Sequence, residues 1–147
     1  MNNIWNNVWL WIPVNTWFVV QCMKIIIELI KSKKLNLRRI VGSGGMPSSH
    51  SAFVCSLATT IGITEGVSSP LFAMAVALSA IVMYDAAGVR RAAGKQAKIL
   101  NQIIESEREN INVQEKLIEL LGHTPLEVYV GALVGIVMAF LFVPIWR

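Results

Sequence analysis

The chain has 147 residues, enough for a single domain, and 54% of them are hydrophobic while only 15% are charged. Soluble domains usually carry about 25% charged residues, so the composition excludes an ordinary soluble protein and predicts an all-α integral membrane protein. The net charge of +4 does not indicate nucleic-acid binding, because the positive residues cluster at the ends of apolar segments.

Apolar segments predict about four membrane-spanning helices in one domain over residues 1–147. The predicted spans are residues 14–30, 48–64, 71–89 and 125–143. A more polar insertion at 93–121 has the apolar spacing of two amphipathic helices. We therefore expect a helical bundle in the cell membrane, with an insertion that lies on the membrane surface or packs over the loops.

Two polar side chains interrupt the first predicted span. Lys24 lies within the apolar run, and Gln21 precedes it by three residues on the same helical face. A charge at this depth costs at least about 2 kcal/mol unless it reaches water or a partner. Lys24 therefore has either a functional partner or a side chain that extends to the membrane surface.

The stretch 42–51, Gly-Ser-Gly-Gly-Met-Pro-Ser-Ser-His-Ser, joins a basic loop to the second predicted span. Its glycines let the backbone approach a ligand, and its serines are typical of a helix start. A helix N-terminus favours anions, and His50 adds a group that exchanges a proton near neutral pH. The stretch is either a phosphate-binding loop or a membrane turn in which His50 is structural.

Charge asymmetry predicts which segments meet. Across the predicted spans, every loop lysine and arginine except Arg147 falls on one side, which should be cytoplasmic, with both termini outside. His50, the Arg90–Arg91 pair and His123 then share this face. Three motifs that are distant in sequence are therefore expected to form one site.

These motifs resemble a known family. Pro47-Ser48-Ser49-His50 resembles the Pro-Ser-Gly-His motif of the type 2 phosphatidic acid phosphatases. The segment 122–128, Gly-His-Thr-Pro-Leu-Glu-Val, is similar to the end of that family's last motif. Together with the runs 44–51 and 84–91, these residues resemble a small divergent branch of the superfamily over nearly the full length of the chain.

The resemblance implies a metal- and cofactor-independent phosphatase that acts on a lipid phosphate or pyrophosphate. His123 would be the nucleophile, Glu127 would orient it, and His50 would protonate the leaving oxygen. The first-motif lysine would be Lys24 or Lys31, and the motif arginine would be Arg90 or Arg91. The groups expected to bind phosphate are therefore Lys24, Lys31, Arg38, Arg90, Arg91, Ser48, Ser49 and Gly45, with Gln21 and Asp85 in support.

Several residues depart from the family pattern. Ser49 replaces the motif glycine, Glu127 replaces aspartate, and the arginines precede His123 by 32 and 33 residues instead of six. The alternatives are a non-catalytic protein that binds or carries a phosphorylated lipid, and an ion pathway through Lys24 and Asp85. The first alternative uses the same cations but needs no nucleophile. Taken singly, His50 and His123 could instead be structural capping residues, Glu127 a solvated carboxylate in the first turn of its helix, and Arg90 and Arg91 ordinary topology determinants.

The expected partners are the lipid bilayer and a phosphorylated lipid, and no nucleic acid. Gly131 and Gly135 form a pair of small residues that permits close helix packing. If their face is exposed, it suggests a homodimer.

Overall fold

The fold was analysed in a computed structural model that describes residues 3–32, 45–106, 117 and 121–146. These residues form a short 3₁₀ turn, Ile4–Asn6, and five α-helices. The helices are α1 (Val8–Ser32), α2 (Ser49–Glu65), α3 (Pro70–Ala87), α4 (Val89–Ser106) and α5 (Pro125–Trp146). The predicted all-α membrane bundle is therefore confirmed.

Among the described residues, three helical stretches are long and apolar enough to cross a membrane: Val8–Ile30, Pro70–Ser106 and Pro125–Trp146. Helix α2 has 17 residues and is not among them. By length and composition, three of the described stretches can therefore span a membrane, where the sequence predicted about four spans. Helix α1 also begins six residues earlier than predicted and continues through Pro13.

Helix α2 lies at the centre of the bundle, in contact with α1, α3 and α5. It runs antiparallel to α1, since the Trp9 indole N–H donates to the Thr64 hydroxyl at 2.7 Å while the other end of α2 lies beside the second half of α1. Its hydroxyls bond largely to carbonyls of their own helix, as Thr60 does to Ser56 at 2.7 Å. A polar helix of this kind fits an apolar bundle because its hydrogen-bonding groups are satisfied internally.

Helices α2 and α5 run parallel and in very close contact at two glycines. A Cβ atom added to Gly131 would overlap the carbonyl oxygen of Ser48, and one added to Gly135 would overlap that of Ala52. The glycine face is therefore not exposed, because the small residues serve packing within one chain. The predicted homodimer loses the feature on which it rested.

Helix α4 follows α3 directly and corresponds to the first amphipathic helix of the predicted insertion. It buries Gly94, Ala97 and Asn101 along one face. The Asn101 side chain bonds to both backbone groups of Leu117, at 2.9 and 3.0 Å, and so holds Leu117 beside α4. The second predicted amphipathic helix lies outside the described residues apart from Leu117 and Leu121.

Candidate functional site

Helices α2, α3 and α4 and the segment before α5 bring polar residues together at one end of the bundle. A cavity of about 230 Å³ lies between the start of α2, the end of α3 and the segment that leads into α5. Its lining comprises His50, Ile81, Val82, Asp85, Ala86, Arg90 and His123. The structure thus brings together both histidines and one of the two candidate arginines.

His123 is held by its backbone and left unpaired at its ring. Its backbone N–H donates to the carbonyl of Ala86 at 2.9 Å. The preceding Gly122 has a φ of 80° and packs so closely on the backbone of Arg91 that a Cβ would overlap it, so only glycine fits there. The residue is 3% exposed, and neither ring nitrogen has a hydrogen-bond partner among the described residues.

Glu127 lies beside His123 and also caps α5. Its Oε2 is 3.4 Å from the Nδ1 of His123, outside hydrogen-bond geometry, and accepts the Thr124 backbone N–H at 2.9 Å. The Thr124 hydroxyl in turn accepts the backbone N–H of Glu127 at 3.3 Å. This is a capping box, which holds the carboxylate next to the imidazole. Thr124 was not among the predicted site residues, although the Thr-x-x-Glu signature before an apolar run indicates such a cap.

The surroundings of His123 favour its neutral form. Burial lowers the pKa of His123 below its ordinary value, the positive charge of Lys24 lowers it further, and the Glu127 carboxylate opposes the shift. At neutral pH the ring therefore keeps a lone pair on one nitrogen. A neutral imidazole is the form that acts as a nucleophile or a base.

His50 faces His123 across the cavity. The two ring centroids are 6.5 Å apart with an angle of 61° between the ring planes. His50 lies in the first turn of α2 and is exposed, in contrast to the buried His123. A small group that contacts each ring at about 3 Å would therefore bridge the two.

Lys24 places a buried positive charge beside this site. The residue as a whole is 8% exposed, so most of its side chain is buried. Its charge acts on both histidines and on Glu127, yet within the described ranges no carboxylate lies within 4 Å of it. Gln21, one turn earlier, is half-buried, and its Oε1 likewise has no partner there.

Arg90 lines the cavity and pairs with Asp85. The Nε of Arg90 donates to the Oδ2 of Asp85 at 2.6 Å, with side chains 50% and 39% exposed. Asp85 is therefore paired with an arginine and not with Lys24. Arg91 does not line the cavity.

The remaining predicted residues contribute to the helix start or fall outside the description. The Ser48 hydroxyl accepts the Ser51 backbone N–H at 3.4 Å and the Ser51 hydroxyl at 3.0 Å, and the Ser48 N–H donates to the carbonyl of Glu127. Ser48 is therefore occupied by capping and by contact with α5. Ser49 is buried against a neighbouring apolar cavity, and Gly45 is exposed with a φ of 94°. Arg38 and the side chain of Lys31 lie outside the described residues.

These groups are chemically suited to an anion. A half-exposed arginine and a buried neutral histidine line one cavity, and the charge of the buried Lys24 acts on both histidines there. The described part of the chain has no group of three or more His, Cys, Asp or Glu residues that could hold a metal ion. The start of α2 adds the partial positive charge of a helix N-terminus. Phosphate is bound by this set of donors in many proteins.

Fold and site together define a helical membrane protein with a buried cationic histidine site. The chain belongs to the divergent PAP2 family, whose model matches residues 5–138. It is also 41% identical, over 130 residues, to the uncharacterized membrane protein YuiD of Bacillus subtilis (strain 168). This match covers 80% of the present chain and 82% of YuiD. No solved structure matches the chain. The family resemblance found in the motifs is confirmed.

Proposed function

We propose that this protein is a membrane-embedded phosphatase that hydrolyses a lipid phosphate or pyrophosphate through a phosphohistidine. The observation that supports this most strongly is the pair Lys24 and His123. Both residues are more than nine-tenths buried. Within the described ranges no carboxylate lies within 4 Å of Lys24, and the Nε2 of His123 has no hydrogen-bond partner, while the Glu127 carboxylate lies 3.4 Å from its Nδ1. Burying such groups unpaired is costly, and a bound phosphate would supply the missing partner.

The proposed reaction has two steps. The Nε2 of His123 attacks phosphorus, since Glu127 lies on the Nδ1 side, and the bond from phosphorus to the lipid oxygen breaks as His50 donates a proton to that oxygen. Water then attacks the phosphohistidine while His50 accepts its proton, which releases phosphate and restores His123. Lys24 and Arg90 stabilise the charge on the phosphoryl oxygens in both steps.

The position of the site suits a lipid substrate. The cavity lies where apolar helices end, so a phosphate at the membrane surface can bind while its hydrocarbon stays in the bilayer. By the asymmetry of the lysines and arginines, the site faces the cytoplasm. The physiological lipid would then be presented by the inner leaflet.

The test is phosphate release from a lipid phosphate by the purified protein in detergent, without added metal. His123→Asn should abolish turnover and also the acid-labile phosphoprotein that forms with ³²P-labelled substrate. This variant should still fold, because the ring nitrogens make no hydrogen bonds that would be lost. Wild-type turnover that persists in His123→Asn would refute the nucleophile assignment.

Glu127→Gln separates the two roles of Glu127. Glutamine serves equally at this position of a capping box, so Tm should change little. The loss of the carboxylate should still reduce turnover, because it removes the charge that stabilises the imidazolium formed as His123 reacts. Thr124→Ala is the matched control, since it weakens the cap by about 1 kcal/mol and leaves the carboxylate in place.

A non-catalytic phospholipid-binding protein is the second candidate. The engagement of Arg90 by Asp85 and of Glu127 by the helix cap favours it, because neither group is free for chemistry in this arrangement. It predicts saturable binding of a lipid phosphate with no release of phosphate by the wild type.

A further inference from the structure

A second cavity adjoins the site and differs from it in character. It has a volume of about 410 Å³ and shares His50 and Val82 with the first cavity. The rest of its lining is Val14, Trp17, Ser49, Phe53 and Val54. Apart from the edge formed by Ser49 and His50, this lining is apolar, whereas the first cavity has two charged residues.

The second cavity extends away from the basic end of the bundle. On α1, Val14, Trp17 and Lys24 follow the i, i+3, i+10 spacing of one helical face. Val14 therefore lies about 15 Å along the helix axis from Lys24. On α2, Phe53 and Val54 lie one turn further than His50 from the same end. The two cavities thus form a polar chamber followed by an apolar one at the depth of the hydrocarbon.

We propose that the second cavity binds a single hydrocarbon chain of the phosphorylated lipid, with Trp17 as its wall and Val14 as its far limit. This proposal rests on the proposed function, because it places the phosphate in the first cavity. The continuity of the two cavities at His50, and their change from charged to apolar lining, match the two ends of such a molecule. Val14 then determines the longest chain that the site holds within the protein.

The energetic role of this chamber is to position the substrate. A lipid that arrives from the bilayer is already in hydrocarbon, so its chain gains little transfer free energy in the chamber. A chain held at a fixed place does align phosphorus with His123, which accelerates the attack. For short alkyl phosphates that arrive from water, each buried methylene should instead raise kcat/KM by up to about fourfold.

A series of n-alkyl phosphates from ethyl to dodecyl tests this proposal on the full-length protein in detergent. In the wild type, kcat/KM should rise with each methylene and then level off once the chamber is filled. Val14→Trp should move that plateau to shorter chains. The control is Val137→Trp, at a position on α5 that is 47% exposed, which should keep the wild-type profile.

Identical chain-length profiles in Val14→Trp and the wild type would overturn the proposal, since partition into the detergent micelle would then explain the whole dependence. If Val14→Trp does not fold, Trp17→Leu takes its place. Its control is Trp146→Leu, because Trp17 and Trp146 are 40% and 38% exposed. The loss of the chamber wall should then flatten the profile in Trp17→Leu alone.

Failure of the proposed function has a different signature. If the wild type hydrolyses no alkyl phosphate, the same series of alkyl phosphonates is titrated and the increase in Tm is measured. A chain-length dependence that Val14→Trp shortens would support the chamber in a binding protein. Binding that is independent of chain length would reject the chamber whether or not the protein is an enzyme.

Discussion

Replacement of Lys24 by methionine should make the empty protein more stable and its site much weaker. A lysine charge costs about 2.5–3.5 kcal/mol at the centre of a spanning helix, and less at Lys24, which lies six residues before the end of the Val8–Ile30 span. Lys24 is 8% exposed and recovers part of this cost from Glu127. Methionine has a similar length and no charge, so we expect the free energy of unfolding to rise by about 1–2 kcal/mol. Loss of a charge-assisted bond to phosphate, about 1.5–3 kcal/mol, should weaken binding roughly ten- to hundredfold.

The assay is thermal unfolding in detergent with and without an alkyl phosphonate. Wild type should gain Tm with the ligand, whereas Lys24→Met should start from a higher Tm and gain little. Lys98→Met removes the same charge from an exposed position on α4 and should behave as the wild type does. A Lys24→Met protein that is less stable than the wild type, with an intact response to the ligand, would refute the reasoning and make Lys24 a structural partner of Glu127.

Three further changes probe the site and its scaffold. The rate constant kcat/KM should fall at acid pH with an apparent pKa below the ordinary histidine value, because His123 must be neutral to react. Lys24→Met should move this acid limb to higher pH, since it removes a positive charge that lowers the pKa of His123. A pH profile of both proteins checks this, and an unchanged limb would contradict it. Asp85→Asn should free Arg90 and lower KM by up to about fivefold with little change in Tm, since the pair is half-exposed; a loss of turnover would instead make Asp85 part of the chemistry. Gly135→Ala should destabilise the fold by about 1–3 kcal/mol by forcing α5 away from α2, and an unchanged Tm would show that the contact is not tight.

The positions of the helices, and the placement of the motifs at one membrane face, could be predicted because both depend only on the order of residues along the chain. Apolar runs of sufficient length predict spanning helices, and the charge asymmetry put His50, Arg90 and His123 at one face. The structure has all three around one cavity. The family resemblance rested on short motifs whose spacing within each helix does not depend on the rest of the fold.

Other features could be determined only from the three-dimensional structure. Gly131 and Gly135 form the same pattern whether they contact a second chain or α2, so the sequence alone did not exclude a dimer. Arg90 and Arg91 are about 100° apart around a helix, and only the orientation of α4 selects Arg90. The cap formed by Thr124 was in contrast readable, because its signature is local.

The close contact of α2 and α5 is what creates the electrostatics of the site. Because Gly131 meets Ser48 and Gly135 meets Ala52, with the same four-residue step in each helix, the two helices run parallel and begin at the same end of the bundle. Their N-termini, which carry partial positive charge, therefore both lie beside the cavity, next to Lys24 and Arg90. A bulkier residue at either glycine would separate these N-termini and weaken the positive potential as well as the packing. The glycines thus act on anion binding through the helices, although neither lines the cavity.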